Sequence, residues 1–167
     1  MIYLITGGQR SGKSQYAEKL ALELSETPVY LATSRVWDEG QKERIELHKK
    51  RRGAQWESIE EEKHVGQHDF SGKVVLLDCI TLWLTNYFFD NEQDVQKSLE
   101  EAKTEITALL NQDCTLIMVT NELGLGGHPN SEMAMKFNDL QGWMNQFLAE
   151  KADRVTMIVS GLPMQLK

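Results

Sequence analysis

Cysteine is scarce in this chain. Two cysteines, Cys79 and Cys114, stand far apart among 167 residues. That excludes a disulfide framework, and no Cys/His spacing fits a zinc site. Positive charge is in deficit as well. The formal net charge of -7 argues against nucleic acid or an anionic membrane surface as a partner. No apolar run approaches the roughly 18 residues that span a bilayer, so no stable membrane insertion is expected. The chain opens directly on a strand-like run, Met1 to Thr6, without a signal peptide, and a cytoplasmic protein is expected. Internal repeats, low-complexity linkers and composition breaks are also lacking, which predicts a single domain over residues 1–167. That length buries a core without disulfides or a structural metal. The 41% hydrophobic and 26% charged content is ordinary for a globular protein.

What is present alternates. Five short apolar runs read as buried parallel strands: Ile2–Thr6, Pro28–Ala32, Lys73–Asp78, Cys114–Thr120 and Arg154–Ser160. Helical patterns lie between them. Ser14 to Ser25 places Tyr16, Leu20 and Leu24 on one face. Glu92 to Asn111 carries Leu99, Ala102, Ile106 and Leu110 at helical spacing. Asn130 to Lys151 is the longest, weakened at Gly142. The expected fold is α/β, P-loop NTPase-like, a mostly parallel sheet with helices on both faces.

The first strand runs into Gly7-Gly8-Gln9-Arg10-Ser11-Gly12-Lys13-Ser14, which fits G-x-x-x-x-G-K-[ST] between a strand and a helix. Gly7 and Gly12 permit a tight turn and close backbone approach to phosphate. The N–H groups that follow, together with the helix N-terminus, favour an anion. Lys13 is expected to reach the β- and γ-phosphates of a nucleoside triphosphate, and Ser14 to ligate Mg²⁺. Asp78, ending the run Val74-Val75-Leu76-Leu77-Asp78, is the matching acid for the metal. Its plainer role is to cap the helix that follows. A P-loop alone serves kinases, ATPases, GTPases and switches alike.

Discrimination comes from Arg35 to Glu62, a highly charged stretch with an expected helix around Asp38 to Lys50. Six basic residues surround His48, and Arg44 lies one helical turn before it. The plain alternative is a solvated basic helix with a bystander histidine. The chemical reading is a nucleophile. Neutral imidazole attacks phosphorus well, and adjacent cations lower its pKa and neutralise a triphosphate during attack. His64, His68 and His128 have no comparable setting.

Together these residues resemble one family, the bifunctional adenosylcobinamide kinase/adenosylcobinamide-phosphate guanylyltransferases of cobalamin biosynthesis. The likeness runs through Thr6 to Ser14, Tyr30 to Ser34, Arg44-Ile45 with His48, Arg52, Trp56 and Glu60. It continues through Leu77 to Asn86, Val119 to Gly124, Asn145-Gln146 and Val159 to Lys167. It implies two reactions: γ-phosphoryl transfer from ATP or GTP to adenosylcobinamide, then transfer of GMP from GTP through a guanylyl-histidine to adenosylcobinamide phosphate. The matching histidine is His48. The implied nucleotide contacts are Gly7 to Ser14, Ala32, Thr33, Ser34, Lys49, Lys50, Arg51, Arg52, Glu60 and Asp78. Glu60 is suited to guanine N1–H and N2–H₂ or to a ribose, and equally to solvent as one of the acidic run Glu57 to Glu62. Whether one nucleotide site serves both reactions stays open. The resemblance implies a homo-oligomer, with a trimer among the options, and Trp83, Tyr87, Phe88 and Phe89 are candidates for an exposed apolar stripe; core packing is the alternative. The chain departs from the family pattern at Leu47, where many members carry a second histidine, and at Glu132, Met135 and Asn138, where many carry basic residues. The Asn121 to Gly127 loop is expected either to border the corrinoid or simply to connect a strand to a helix.

Overall fold

A computed structural model describes residues 1–35 and 53–167. The helix expected around Asp38 to Lys50 lies outside the described residues. Among the described residues seven strands form one sheet: β1 (Ile2–Gly7), β2 (Val29–Ala32), β3 (Glu57–Glu60), β4 (Val74–Asp78), β5 (Thr115–Val119), β6 (Arg154–Val159) and β7 (Leu162–Gln165). Their order is β3-β2-β4-β5-β1-β6-β7. Every pairing is parallel except that of β7 with β6. The α-helices among the described residues are α1 (Lys13–Leu24), α2 (Ile80–Asp90), α3 (Val95–Leu110) and α4 (Glu132–Lys151). None of the described helices is long and apolar enough to cross a membrane.

Side-chain alternation along the strands builds two cores. Leu4, Leu77, Leu116 and Met118 face α2, α3 and α4, where Trp83, Leu84, Ile106 and Met144 are fully buried. Ile5, Leu76, Ile117 and Val119 face α1. On α1 the contact differs from expectation. Ala17 and Ala21 are fully buried, Tyr16 and Leu20 flank them, and Leu24 is 43% exposed. Alanine at the contact lets the helix lie close to the strands from which its preceding loop springs. On α3 the buried face is Leu99, Ala102, Ile106 and Leu109, with Leu110 only partly buried. Asp94 caps this helix by accepting the Lys97 N–H at 2.9 Å. Helix α4 runs unbroken through Gly142. Ser131 caps it, Glu132 and Lys151 complement its dipole, and Leu140, Met144 and Leu148 bury its inner face.

All five expected strands are present, and two further ones join them. Strand β3 was hidden in the acidic run, because an edge strand with only Ile59 half-buried has no apolar signature. Strand β7 returns after a two-residue turn, Ser160-Gly161, in which both residues have positive φ. The proposed exposed stripe does not exist as such. Trp83, Tyr87 and Phe88 are buried, and of the four only Phe89 is exposed. Helix α2 follows a buried strand and lies against the sheet, so its aromatics meet core rather than water.

Candidate nucleotide site

The C-terminal ends of the five neighbouring strands β3, β2, β4, β5 and β1 lie along one edge of the sheet. This edge collects every described residue expected in the site. Gly7 ends β1, Ala32 ends β2, Glu60 ends β3 and Asp78 ends β4, and Ala32 is in register with both Glu60 and Asp78. His48 and Lys49, Lys50, Arg51 and Arg52 lie outside the described residues.

The loop after β1 is held by backbone. Gly7 has φ +149°, and a Cβ there would come within 2.5 Å of the Ile158 carbonyl oxygen and 2.9 Å of Ser11 Oγ. Arg10 adopts φ 56°, and Gly12, at φ 98°, opens α1. The Ser11 N–H donates to the Gly8 carbonyl, and the Gly161 N–H donates to the Ser11 carbonyl at 2.9 Å. The β6–β7 turn therefore braces the cradle, a role invisible to motif reading, although the Ser-Gly pair between two apolar residues was its signal. Lys13 is buried and its Nζ donates to the Gly8 carbonyl at 2.7 Å. Burial lowers the Lys13 pKa, while the neighbouring Cys79 and Asp78 pull it upward. The ammonium thus closes onto the loop's own backbone.

Asp78 does not cap α2. Cys79 is the N-cap residue, without a side-chain cap, and Asp78 Oδ2 instead accepts the Tyr30 hydroxyl at 2.6 Å. Tyr30 is itself packed edge-on against Trp56. The Thr33 hydroxyl is engaged internally, donating to the Cys79 carbonyl at 2.8 Å and accepting its N–H at 3.0 Å. Thr33 is fully buried, so its side chain fastens β2 to β4 beneath the site and offers no atom to a ligand. Burial pushes the Cys79 thiol up to about 12, which leaves it inert. Among the described residues no three His, Cys, Asp or Glu groups gather into a metal cage. One hydroxyl at Ser14 and one carboxylate at Asp78 are the sparse hard donor set that Mg²⁺ takes alongside substrate phosphates, so the residue types fit that ion.

The chain leaving β2 (residues 33–35) and the chain leaving β3 (residues 61–63) meet beside α2 as a stem, and α2 clamps them. Asn86, fully buried, donates through Nδ2 to the Thr33 and Glu62 carbonyls, both at 2.9 Å. Trp83 Nε1 and the Tyr87 hydroxyl both donate to the Lys63 carbonyl at 3.0 Å. Arg35 reaches Glu62 at 2.7 Å and Asp90 at 2.8 Å, and Lys63 reaches Asp90 at 3.1 Å. Trp83, Asn86/Tyr87 and Asp90 recur at helical spacing and form one face. Trp83 and Tyr87, named as candidates for an exposed stripe or for core packing, hold this stem from a buried position. Glu60 stands on the outermost strand, four inter-strand spacings or about 19 Å from the P-loop strand. It joins the stem rather than the cradle.

A polar bridge lies behind β5. The Thr120 hydroxyl donates to Asn145 Oδ1 at 2.7 Å, and Gln141 Nε2 donates to both. Asn145 Nδ2 then donates to the Asn121 carbonyl at 3.0 Å. The Asn121–Gly127 loop contains a short 3-10 turn at Gly124–Gly126.

A parallel sheet whose first strand runs through a Gly-rich loop into a helix, with a buried lysine beside a strand-end aspartate, defines a P-loop nucleotide-binding protein. Residues 3–166 match the family model described as cobinamide kinase / cobinamide phosphate guanyltransferase. The chain belongs to that family. It is 39% identical to the bifunctional adenosylcobalamin biosynthesis protein CobP of Pseudomonas aeruginosa, over 98% of this chain and 96% of that one. It is 37% identical to the bifunctional adenosylcobalamin biosynthesis protein CobU of Escherichia coli, over the full length of both. Among solved structures the ATPase domain of G40P superposes with a TM-score of 0.49 at 14% identity, covering 93% of this chain and 68% of that one.

Proposed function

We propose that this chain, as a single domain, phosphorylates adenosylcobinamide with ATP or GTP and then transfers GMP from GTP to the product, giving adenosylcobinamide-GDP. The observation that carries this reading is the span of the family match. Residues 3–166 take in both the cradle and the segment bearing His48. In the first reaction the backbone N–H groups of Gly7 to Ser14 and the Lys13 ammonium hold the triphosphate, and phosphoryl transfer then needs mainly alignment and charge neutralisation. Bound Mg²⁺, held by Ser14 and Asp78, would supply further neutralisation of the phosphates. In the second reaction His48 attacks the α-phosphorus of GTP and pyrophosphate leaves. The phosphate of adenosylcobinamide phosphate then displaces the histidine. Lys49, Lys50, Arg51 and Arg52 neutralise phosphate charge around His48, and Glu60 recognises the guanine or ribose. A homo-oligomer belongs to this reading. Exposed Leu162 and Met164 on the edge strand β7 support it better than the α2 aromatics.

Incubation with [α-³²P]GTP and Mg²⁺ is expected to leave an acid-labile, base-stable label on the protein that His48→Ala abolishes. Absence of label from the wild-type protein overturns the guanylyltransferase half of the proposal.

A further inference from the structure

Asn121 has a backbone fixed from three sides and a side chain with no structural task. Its N–H donates to Thr81 Oγ1 at 3.0 Å, and its carbonyl accepts Asn145 Nδ2 at 3.0 Å. The next residue, Glu122, donates its N–H to the Gly7 carbonyl at 3.0 Å. The Asn121 side-chain amide forms no hydrogen bond among the described residues, and the residue is half-buried. The backbone at Asn121 is thus fixed while its amide stays free for a role other than packing.

Register and alternation say where it lies. Val119 pairs with Ile5 on β1 and with Asp78 on β4. The bonds from Thr120 to Ile5 and from Glu122 to Gly7 extend the β1 ladder past β5, bringing Asn121 level with Gly7. Ile117 and Val119 face α1, so Asn121, two residues on, projects to the same side. On β4, Leu76 faces α1 and Asp78 follows it. Asn121 therefore stands on the strand between the cradle and Asp78, on their side of the sheet, about 7 Å beyond the level of Asp78. Thr120, with opposite parity, turns into the bridge with Gln141 and Asn145.

We propose that Asn121 is a catalytic residue for phosphoryl transfer, its side-chain N–H donating to a γ-phosphoryl oxygen as that group passes to the acceptor hydroxyl. In that step the bond from the γ-phosphorus to the β–γ bridging oxygen breaks and a bond to the acceptor oxygen forms. The nucleoside diphosphate leaves and the hydroxyl proton passes to solvent. A neutral donor suits the position, because a carboxylate there would repel the phosphates. This inference rests on the kinase reading above.

The test uses the full chain with adenosylcobinamide, ATP and Mg²⁺. Asn121→Ala is expected to lower kcat about 100-fold, the size of a lost transition-state donor, with the KM for ATP shifted less than about threefold. Asn121→Asp is expected to lose at least about tenfold more. Thermal midpoints of both variants stay at the wild-type value, since no internal bond is removed. An Asn121→Ala enzyme within twofold of wild-type kcat overturns the assignment. So does equal loss in both variants accompanied by a fall in thermal midpoint, which marks a structural role. A wild-type chain that phosphorylates no adenosylcobinamide overturns the kinase reading itself, and the assignment with it.

Discussion

The cradle at Gly7–Ser14 and the stem where residues 33–35 meet residues 61–63 share one edge of the sheet but are held by different forces. Backbone holds the cradle: a glycine against the Ile158 carbonyl, a turn bonded to the Ser11 carbonyl, and a lysine folded onto Gly8. Side chains of a separate helix hold the stem, through buried amide and indole bonds inside and half-exposed ion pairs outside. The first arrangement has no slack, because backbone atoms cannot step aside. The second is adjustable, because guanidinium and carboxylate groups respond to salt and pH.

That contrast breaks most visibly at Lys13. Lys13→Ala is expected to lower cobinamide phosphorylation roughly 100- to 1,000-fold in a coupled assay for nucleoside diphosphate. Undiminished phosphorylation would detach the cradle from that reaction. Next comes Gly7→Ala, which sets a methyl against the Ile158 backbone at a φ that disfavours L residues. A loss of about 3 kcal/mol in urea unfolding is expected, with nucleotide affinity falling alongside. A stability change under about 0.5 kcal/mol would show that the cradle has slack after all.

The stem should suffer less and differently. Asn86→Ala leaves the Thr33 and Glu62 carbonyls without their shared donor, which costs about 2 kcal/mol. Histidine labelling by GTP is expected to fall more than phosphorylation does. The reverse ranking would show that α2 serves the cradle. The smallest effect is electrostatic. The Arg35 hydrogen bonds hold the Asp90 carboxyl at about 2, against opposing burial and with help from Lys63. Its ordinary unfolded value is about 3.9. A depressed carboxyl contributes stability above the unfolded value and loses it as pH falls through the folded one. Urea midpoints of the wild type should therefore drop between about pH 4 and pH 2, and Asp90→Asn should flatten that slope. Because the side chain is 34% exposed, added salt should shrink the difference. Parallel slopes in both proteins would remove Asp90 from the stem's pH response.

Legibility in the sequence followed the range of the interaction. Gly7 to Ser14 could be read because a phosphate loop is a local object: eight consecutive residues whose glycines, lysine and serine act through their own backbone. The five apolar strands could be read because a strand buried on both faces is apolar throughout. Strand β3, with Glu57, Ser58 and Glu60 exposed, could not, since its place depends on the neighbour it pairs with. The α2 aromatics gave an ambiguous signal, for an apolar helix reads alike whether it faces a second copy or its own sheet. Glu60 was named by likeness as a guanine or ribose contact, and strand order sets it on the outermost strand, away from the P-loop strand.

By itself, then, the sequence determined the triphosphate loop, the α/β alternation and the family, all of which rest on local pattern or on the ordered recurrence of motifs. Only the tertiary structure decided that Asp78 takes a hydroxyl from Tyr30 instead of capping a helix, that Asn86 ties together residues 33 and 62, and that Asn121 stands level with Gly7. Each of these depends on strand order and register. Those are settled by packing among residues far apart in the chain, and no window of sequence contains both partners.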